Sequence, residues 1–464
     1  MNCLIGLDVG TSGAKAVAIS PDGELLATAE EPYPLSTPRP GWAEQDPEDW
    51  RRAAEACLAR LPDGPVGLSG QMHGLVVLGD GDEVLRPAIL WNDQRTGAEC
   101  AEIERRIGLD RLIELTGNRA LPGFTAPKLL WLRTHEPEVY ARIRHVLLPK
   151  DYVRFRLDGE RAIDAADASG TLLFDVGRRR WSDDVLAALE IPADWLPPAY
   201  ESTAVAGAGD QASAALGVGI TQPGTASVVL GTSGVVFSVL PEYAADPEAR
   251  VHVFCHAVPA TWHAMGVMLS AAGSASWLRH ALGADYRTLD AEAEGWSPGV
   301  EGLLFAPYLA GERTPHADPA ARGAFTGLSI RHDRGAMWRA MLEGVAFGLR
   351  DSLELLRALG VRAEVGRVSG GGARSTLWLR IVASVLGVPL ERTESEEGSA
   401  FGAALLAGVK AGVFADAADA VARCVRVRER IDPDPAWTEA YEEEYARFRA
   451  LYPTLQRLPT ASSR

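Results

Sequence analysis

Residues Cys3–Ala18, CLIGLDVGTSGAKAVA, find an echo more than two hundred residues later in Ala226–Ser238, ASVVLGTSGVVFS. Each stretch runs from an apolar strand through a turn carrying Gly-Thr-Ser-Gly into a second apolar strand. β-Branched runs on both sides of a short glycine-containing turn spell a β-hairpin. The same hairpin opening each half of a chain predicts two domains of like design. In the first copy the strand ends in Asp8 and the turn is Gly10-Thr11-Ser12-Gly13; in the second the turn is Gly231-Thr232-Ser233-Gly234. Glycines let a backbone come close to a phosphate, and successive N–H groups form an anion nest. A carboxylate beside such a nest is placed to hold Mg²⁺, usually through water. Taken alone, the first copy reads equally as an ordinary turn with a strand-end aspartate.

Around these hairpins the chain alternates helices and strands. Asp46-Pro47 is an N-cap followed by proline at the first helical position, which predicts a helix over Glu48–Leu61. Val66–Ser69 and Leu75–Leu78 read as strands, Ala98–Ile107 reads as a helix, and Lys128–Thr134 carries apolar Leu129, Leu130 and Leu132 around Trp131. In the second half an apolar stripe through Met337, Met341, Val345, Leu349, Leu353 and Leu356 predicts a long helix over Ala336–Leu359. The strand Val365–Ser369, the turn Gly370–Gly372 and the helix Ser375–Leu386 follow, with a charged surface helix over Trp437–Tyr452. Interleaved helices and strands give an α/β architecture. The glycine-rich stretch Gly217–Gly224 is the expected junction, giving domains over residues 1–219 and 220–464.

A chain of 464 residues exceeds one ordinary core, and 47% hydrophobic with 23% charged residues is a globular balance. A net charge of -16 argues against nucleic acid and anionic membranes as partners. No apolar run reaches transmembrane length and the start lacks the features of a signal peptide. Cys3, Cys57, Cys100, Cys255 and Cys424 are scattered, without a CxxC pair, as reduced thiols of a cytoplasmic protein are. His252 and His256 flank Cys255 in a strand-like context without HExxH, which argues against zinc.

The remaining polar signals sit at glycines. There is no GxxxxGK[ST] and no protein-kinase HRD and DFG set. Gly207-Ala208-Gly209-Asp210-Gln211 ends a short apolar run just before a helix-like segment. Asp210 there is a helix cap or, if a phosphoryl group moves to a hydroxyl, the base that accepts its proton. Gly70-Gln71-Met72-His73-Gly74 places an amide and an imidazole between glycines, groups able to pair with a polyhydroxy ligand. A structural histidine is the other reading. Gly370–Gly372, with Ala373 and Ser375, forms a strand-to-helix turn where a nucleotide could meet a helix start.

Together these segments resemble the FGGY carbohydrate kinases, over nearly the whole chain. The resemblance is carried in order by GLDVGTSGAKA, AEQDPEDW, SGQMHG, RPAILWNDQR, TGNRALPGFTAPKLLW, LLPKDYVRFRL, VVLGTSGVVFSV, FCHAVP, YLAGERTPH, GAFTGLSIRH, MLEGVAF and SGGGARS. A family signature beginning at Gly123 is matched through Thr125, Lys128, Trp131 and His135. The resemblance implies two actin-like, ribonuclease-H-like domains with ATP and sugar in the cleft between them. It implies Asp210 as catalytic base and Asp8 as partner of Mg-ATP, both holding Mg²⁺ through water. Met72, His73, Asp210 and Gln211 would meet the sugar, and Thr11, Ser12, Gly231, Thr232 and Ser233 the phosphates. Gly371, Gly372, Ala373 and Ser375 would lie by the adenosine. The implied partners are ATP and a ketose, foremost xylulose on the strength of Gln-Met-His-Gly, and a homodimer is compatible with this reading. Ribulose, a pentitol or glycerol are the alternative substrates, and a non-catalytic sugar sensor the alternative of another class. Three departures stand out. Gln211 is the glycerol-kinase-like choice where the expected residue is Asn. Ala336 replaces a usually polar residue at a helix start. Pro198 runs into Asp210 without the further loop and helix of the family.

Overall fold

In a computed structural model of the chain, residues 3–395 and 398–457 are described. The chain forms two compact units, one of Met1–Thr221, Leu240–His263 and Glu397–Arg426, the other of Gln222–Val239, Ala264–Glu396 and Val427–Arg464. Parts of the expected spans, residues 1–2, 396–397 and 458–464, lie outside the described residues.

In the first unit the opening hairpin is present as β1 (Leu4–Val9) and β2 (Gly13–Ile19), antiparallel, with Asp8 opposite Lys15. β3 (Leu25–Pro32) extends it, and β4 (Val66–Gly70) and β5 (Gly207–Gly209) add on the other side in the order β5-β4-β1-β2-β3. β1, β4 and β5 are parallel, with Asp8 level with Ser69 and Gly209 level with Gly70. Alternate residues of β1 point to opposite faces, as a pleated strand requires. Leu7 and Val9 join the cluster around Trp50 and Tyr152, while Leu4 joins Phe401, Ala404 and Leu405. Both faces of the central strand are therefore covered, which is why it reads as a nearly continuous apolar run. Trp50 comes from the helix Pro47–Leu58, whose first turn Asp46 caps by accepting from the Glu48 amide.

The second unit repeats the plan. β6 (Thr225–Leu230) and β7 (Gly234–Val239) form the second hairpin, with β8 (Trp262–Met268), β9 (Val365–Ser369), β10 (Leu390–Thr393) and β11 (Val427–Ile431) in the order β8-β7-β6-β9-β10-β11. β9 is parallel to β6 and β10 parallel to β9, so β7-β6-β9-β10 matches β2-β1-β4-β5 in order and direction. The long helix spans Arg334–Ala358, capped by Asp333, which accepts from the Ala336 amide at 2.9 Å. Ala336 is wholly buried, so its main-chain N–H meets the cap and the position needs no polar side chain.

Two expectations change. The charged terminal segment forms two helices, Pro435–Arg449 and Leu451–Leu455, and the first is not merely superficial. Tyr441, Tyr445 and Phe448 are buried, and the two tyrosine hydroxyls donate to Glu343 (2.8 Å) and Asp351 (2.7 Å). The chain first leaves unit one between Thr221 and Gln222, inside the glycine-rich stretch, but neither unit is one continuous span. The helix Gly398–Lys410 returns to cover β1 and β4, and a single cut in the sequence has no means of expressing such a return. The short Pro198–Asp210 connection is bridged by Ala199–Tyr200, which pairs with Ile163–Asp164, and by one helical turn, Ser202–Val205.

Candidate active site

The parallel strands of the first unit end at one edge of its sheet, where open α/β sheets bind ligands. That edge brings together Asp8, Met72, His73 and Asp210 from β1, the segment after β4, and the helix after β5.

Asp8 Oδ1 is buried without a hydrogen-bond partner. Burial pushes the Asp8 carboxyl up to about 6, against the pull of Ser69 and Lys15. Asp210 is the first residue of the helix Asp210–Gly217, whose cap position is Gly209, so its carboxylate is not the N-cap. Burial first, and the charge of Asp8 second, push Asp210 up to about 7, with Gln211 opposing. Two buried carboxylates, Asp8 raising Asp210 and itself carrying an orphaned oxygen, fit the donor set of a hard cation such as Mg²⁺.

The turn after β1 is tied down from behind. The Tyr33 hydroxyl donates to Gly10 O at 2.5 Å, Gln45 Nε2 to Thr11 O at 2.7 Å and Gln71 Nε2 to Gly10 O at 3.1 Å. The Thr11 hydroxyl receives Trp91 Nε1 at 3.0 Å and donates to Gln71 Oε1 at 3.3 Å. Its side chain is therefore committed, and its main-chain N–H is the group it can offer outward; Ser12 is exposed at the tip. Gln71 departs from the expectation that it pairs with a sugar. It is buried, and its amide also donates to Gln45 Oε1 at 3.1 Å, so it builds the turn instead. Tyr33, Gln45 and Trp91 were assigned no role from sequence, although Gln45 and Trp91 lie within the AEQDPEDW and RPAILWNDQR segments.

Met72 and His73 occupy room made by glycines. A Cβ at Gly209 would lie 2.8 Å from Met72 Cγ, and one at Gly170 would lie 2.5 Å from His73 Nδ1. His73 Nδ1 is 2.6 Å from Gly170 O, and a carbonyl only accepts, so Nδ1 carries the proton of that hydrogen bond. The ring meets Phe124 edge-on at 4.9 Å and lies 6.0 Å from Phe254.

In the second unit the Gly231–Ser233 turn is held in the same way. The Ala272 amide donates to Gly231 O at 2.8 Å, and the amides of Ala271 and Gly273 to Thr232 O at 2.9 and 3.1 Å. Gly231 and Thr232 line a hollow of about 640 Å³ with Gly273, Ser276 and Gly371. Gly371 also lines a second cavity, of about 730 Å³, with Gly372, Ser375, Tyr286, Asp290 and Trp338. That volume suits a drug-sized ligand such as a nucleoside. The Ser375 hydroxyl accepts from the Trp378 amide at 3.1 Å and donates to Asp290 Oδ2 at 2.7 Å, and Asp290 Oδ1 accepts Trp338 Nε1 at 2.8 Å. Ser375 thus shapes the wall. Ala373 lies off this cavity; it lines a smaller hollow with Arg374, Arg392 and Arg428.

Among the described residues, Asp151, Asp164 and Asp167 form an acidic cluster spaced as metal ligands are. Lys150 Nζ stands in it, bonded to Asp151, 2.8 Å from Asp164 and 3.3 Å from Asp167, all fully buried. The ammonium takes the place of an ion. His252 Nδ1 is 3.0 Å from Asn118 Oδ1 and His256 Nε2 2.9 Å from Ile220 O, partners that leave these rings in a protein network.

Residues 3–240 match the N-terminal domain of the FGGY family of carbohydrate kinases, and residues 226–411 its C-terminal domain. The xylulose kinase of Escherichia coli K12 is 41% identical over 480 residues, covering 97% of this chain and 99% of that one. The xylulose kinase of Bacillus subtilis 168 is 36% identical over 494 residues, covering 99% of each. A crystal structure of a xylulose kinase from Brucella ovis superposes with a TM-score of 0.93 at 41% identity, over 99% of this chain and 100% of that one.

Proposed function

The chain belongs to the FGGY family of carbohydrate kinases, and on that footing we propose that it moves the γ-phosphoryl group of ATP onto the 5-hydroxyl of D-xylulose, with Asp210 as general base. The enzyme is a two-domain, actin-like sugar kinase. Relatives named xylulose kinase, 36–41% identical over nearly the full length, support the substrate.

The observation that carries the mechanism is Asp210 raised to about 7 by burial and by Asp8. A base poised near the working pH accepts a hydroxyl proton as the new bond to phosphorus forms, and is ionised often enough to do so. The negative charge of Asp8 makes the proton more welcome on Asp210. Met72 packs along the carbon chain, and His73 Nε2 accepts from a sugar hydroxyl. Thr11 and Ser12, and likewise Gly231, Thr232 and Ser233, offer main-chain N–H groups to phosphate oxygens, the Thr11, Gly231 and Thr232 carbonyls being engaged by the bonds described above. Gly371 and Gly372 lie against the adenosine, with Ser375 and Asp290 bracing the wall. Asp8 and Asp210 would hold Mg²⁺ through water, and the ion would neutralise phosphate charge. An ATP-consuming enzyme whose five cysteines are all unpaired and buried suits the cytoplasm.

Gln211, next to the base, supports a second reading in which glycerol, ribulose or a pentitol is preferred. ATP consumption measured against a panel of ketoses and polyols tests both. The highest kcat/KM is expected with D-xylulose. A better rate with glycerol or ribulose would move the substrate and leave the kinase standing, and no stimulation by any sugar would sink the kinase reading.

A further inference from the structure

His73 has a positive φ of 68°, and the Gly74 amide donates to Met72 O at 2.9 Å across it. This is a γ-turn in its strained, positive-φ form, an uncommon conformation for any residue but glycine. Such strain persists only where the surroundings over-determine it, and it clusters at functional positions. Here the surroundings are two side chains of the helix Thr125–His135. The Thr125 hydroxyl donates to His73 O at 3.1 Å, and Lys128 Nζ donates to the same carbonyl at 2.8 Å. Lys128 Nζ also donates to Gly123 O at 2.7 Å, tying the γ-turn to the turn that enters that helix. Both side chains come from a fully buried first turn, three residues apart and so on one face. A buried lysine spending its donors on two main-chain carbonyls is an expensive way to fill space.

We propose that Thr125 and Lys128 are positioning residues for the sugar: from below they lock the His73 carbonyl, and with it the γ-turn, so that the imidazole is presented in one orientation. The Gly170 carbonyl fixes the ring at its other end, and Gly170 has no side chain because a Cβ there would collide with it. The imidazole is thus held at its backbone and at Nδ1, and a preorganised hydrogen-bonding group discriminates between hydroxyl positions better than a mobile one. This inference rests on the reading of His73 as a sugar contact.

The test uses the full-length enzyme with D-xylulose and ATP. Thr125→Val keeps the volume and removes the hydroxyl; Lys128→Met keeps the apolar stem and removes the donor. Each is expected to raise KM for D-xylulose and lower its kcat/KM about tenfold, with KM for ATP changed less than about twofold. Thr125→Ser, which restores the donor, should recover most of the loss. In a His73→Ala background Thr125→Val should add less than about twofold, since partners acting through one group are not additive. Losses that multiply in the double variant, or an equal rise in KM for ATP, would overturn the clamp. A different result, His73→Ala itself within about twofold of the parent, would remove the sugar-contact reading instead. Should Lys128→Met fail to fold, the Thr125 pair decides alone.

Discussion

Asp8 and Asp210 stand at the carboxyl ends of β1 and β5, separated by β4, and the charge of Asp8 helps to lift Asp210 to about 7. Neither aspartate is near the other in sequence, and neither is perturbed by its chain neighbours alone. The parallel sheet makes them a pair.

Replacement of the base should be the most damaging single change. Asp210→Asn keeps shape and hydrogen bonding but accepts no proton, so kcat for D-xylulose should fall by roughly 10²–10⁴-fold. Steady-state kinetics with a coupled ADP readout measures it, and turnover within tenfold of the parent would remove Asp210 from that role.

The pH profile follows from the direction of the shift. The active form of Asp210 is the ionised one, so kcat/KM should rise with pH along a limb centred near 7 and be lost below it. Asp8→Asn removes the neighbouring charge, and the limb of the residual activity should move to lower pH. A limb that stays in place would mean that another group is titrating.

The same shift predicts an effect on stability. Asp210 titrates higher in the folded chain than the usual carboxylate value of about 3.9, so its contribution is fully present below that value and is lost as pH rises through about 7. Asp210→Asn carries no such charge, and its melting temperature relative to the parent should be higher at pH 8 than at pH 4. Equal differences at the two pH values would contradict the raised pKa.

Gln71→Ala separates a turn-building residue from a sugar ligand. Removing its buried amide leaves Gly10 O and Gln45 Oε1 without that donor, and the loosened turn should raise KM for ATP about tenfold with little change in KM for D-xylulose. The reverse pattern would restore Gln71 to the sugar.

Lys150→Met leaves three buried aspartates without their cation. Breaking a buried ion pair by removing one partner costs about 3–5 kcal/mol, so the denaturant midpoint should drop sharply. A midpoint within experimental error of the parent would show that the aspartates are neutral without Lys150.

What the chain announces by itself is what depends on near neighbours. The two Gly-Thr-Ser-Gly hairpins, the Asp46 cap, the Val365–Ser369 strand and the stripe of the long helix are all local matters of turn chemistry and period, and were legible as such. So were Asp8, Asp210 and the Met72-His73 pair as candidates, because each sits at a strand end beside glycine. Which groups remain available for chemistry was settled only by packing. Gln71 and His73 are two residues apart and equally polar, yet the fold spends the amide of one on the Gly10 turn and bends the other into a γ-turn clamped by Thr125 and Lys128. Hydrogen-bond capacity is a property of a residue; whether it is already used depends on partners fifty or sixty positions away, and long-range contacts of that kind leave no periodic trace in the sequence.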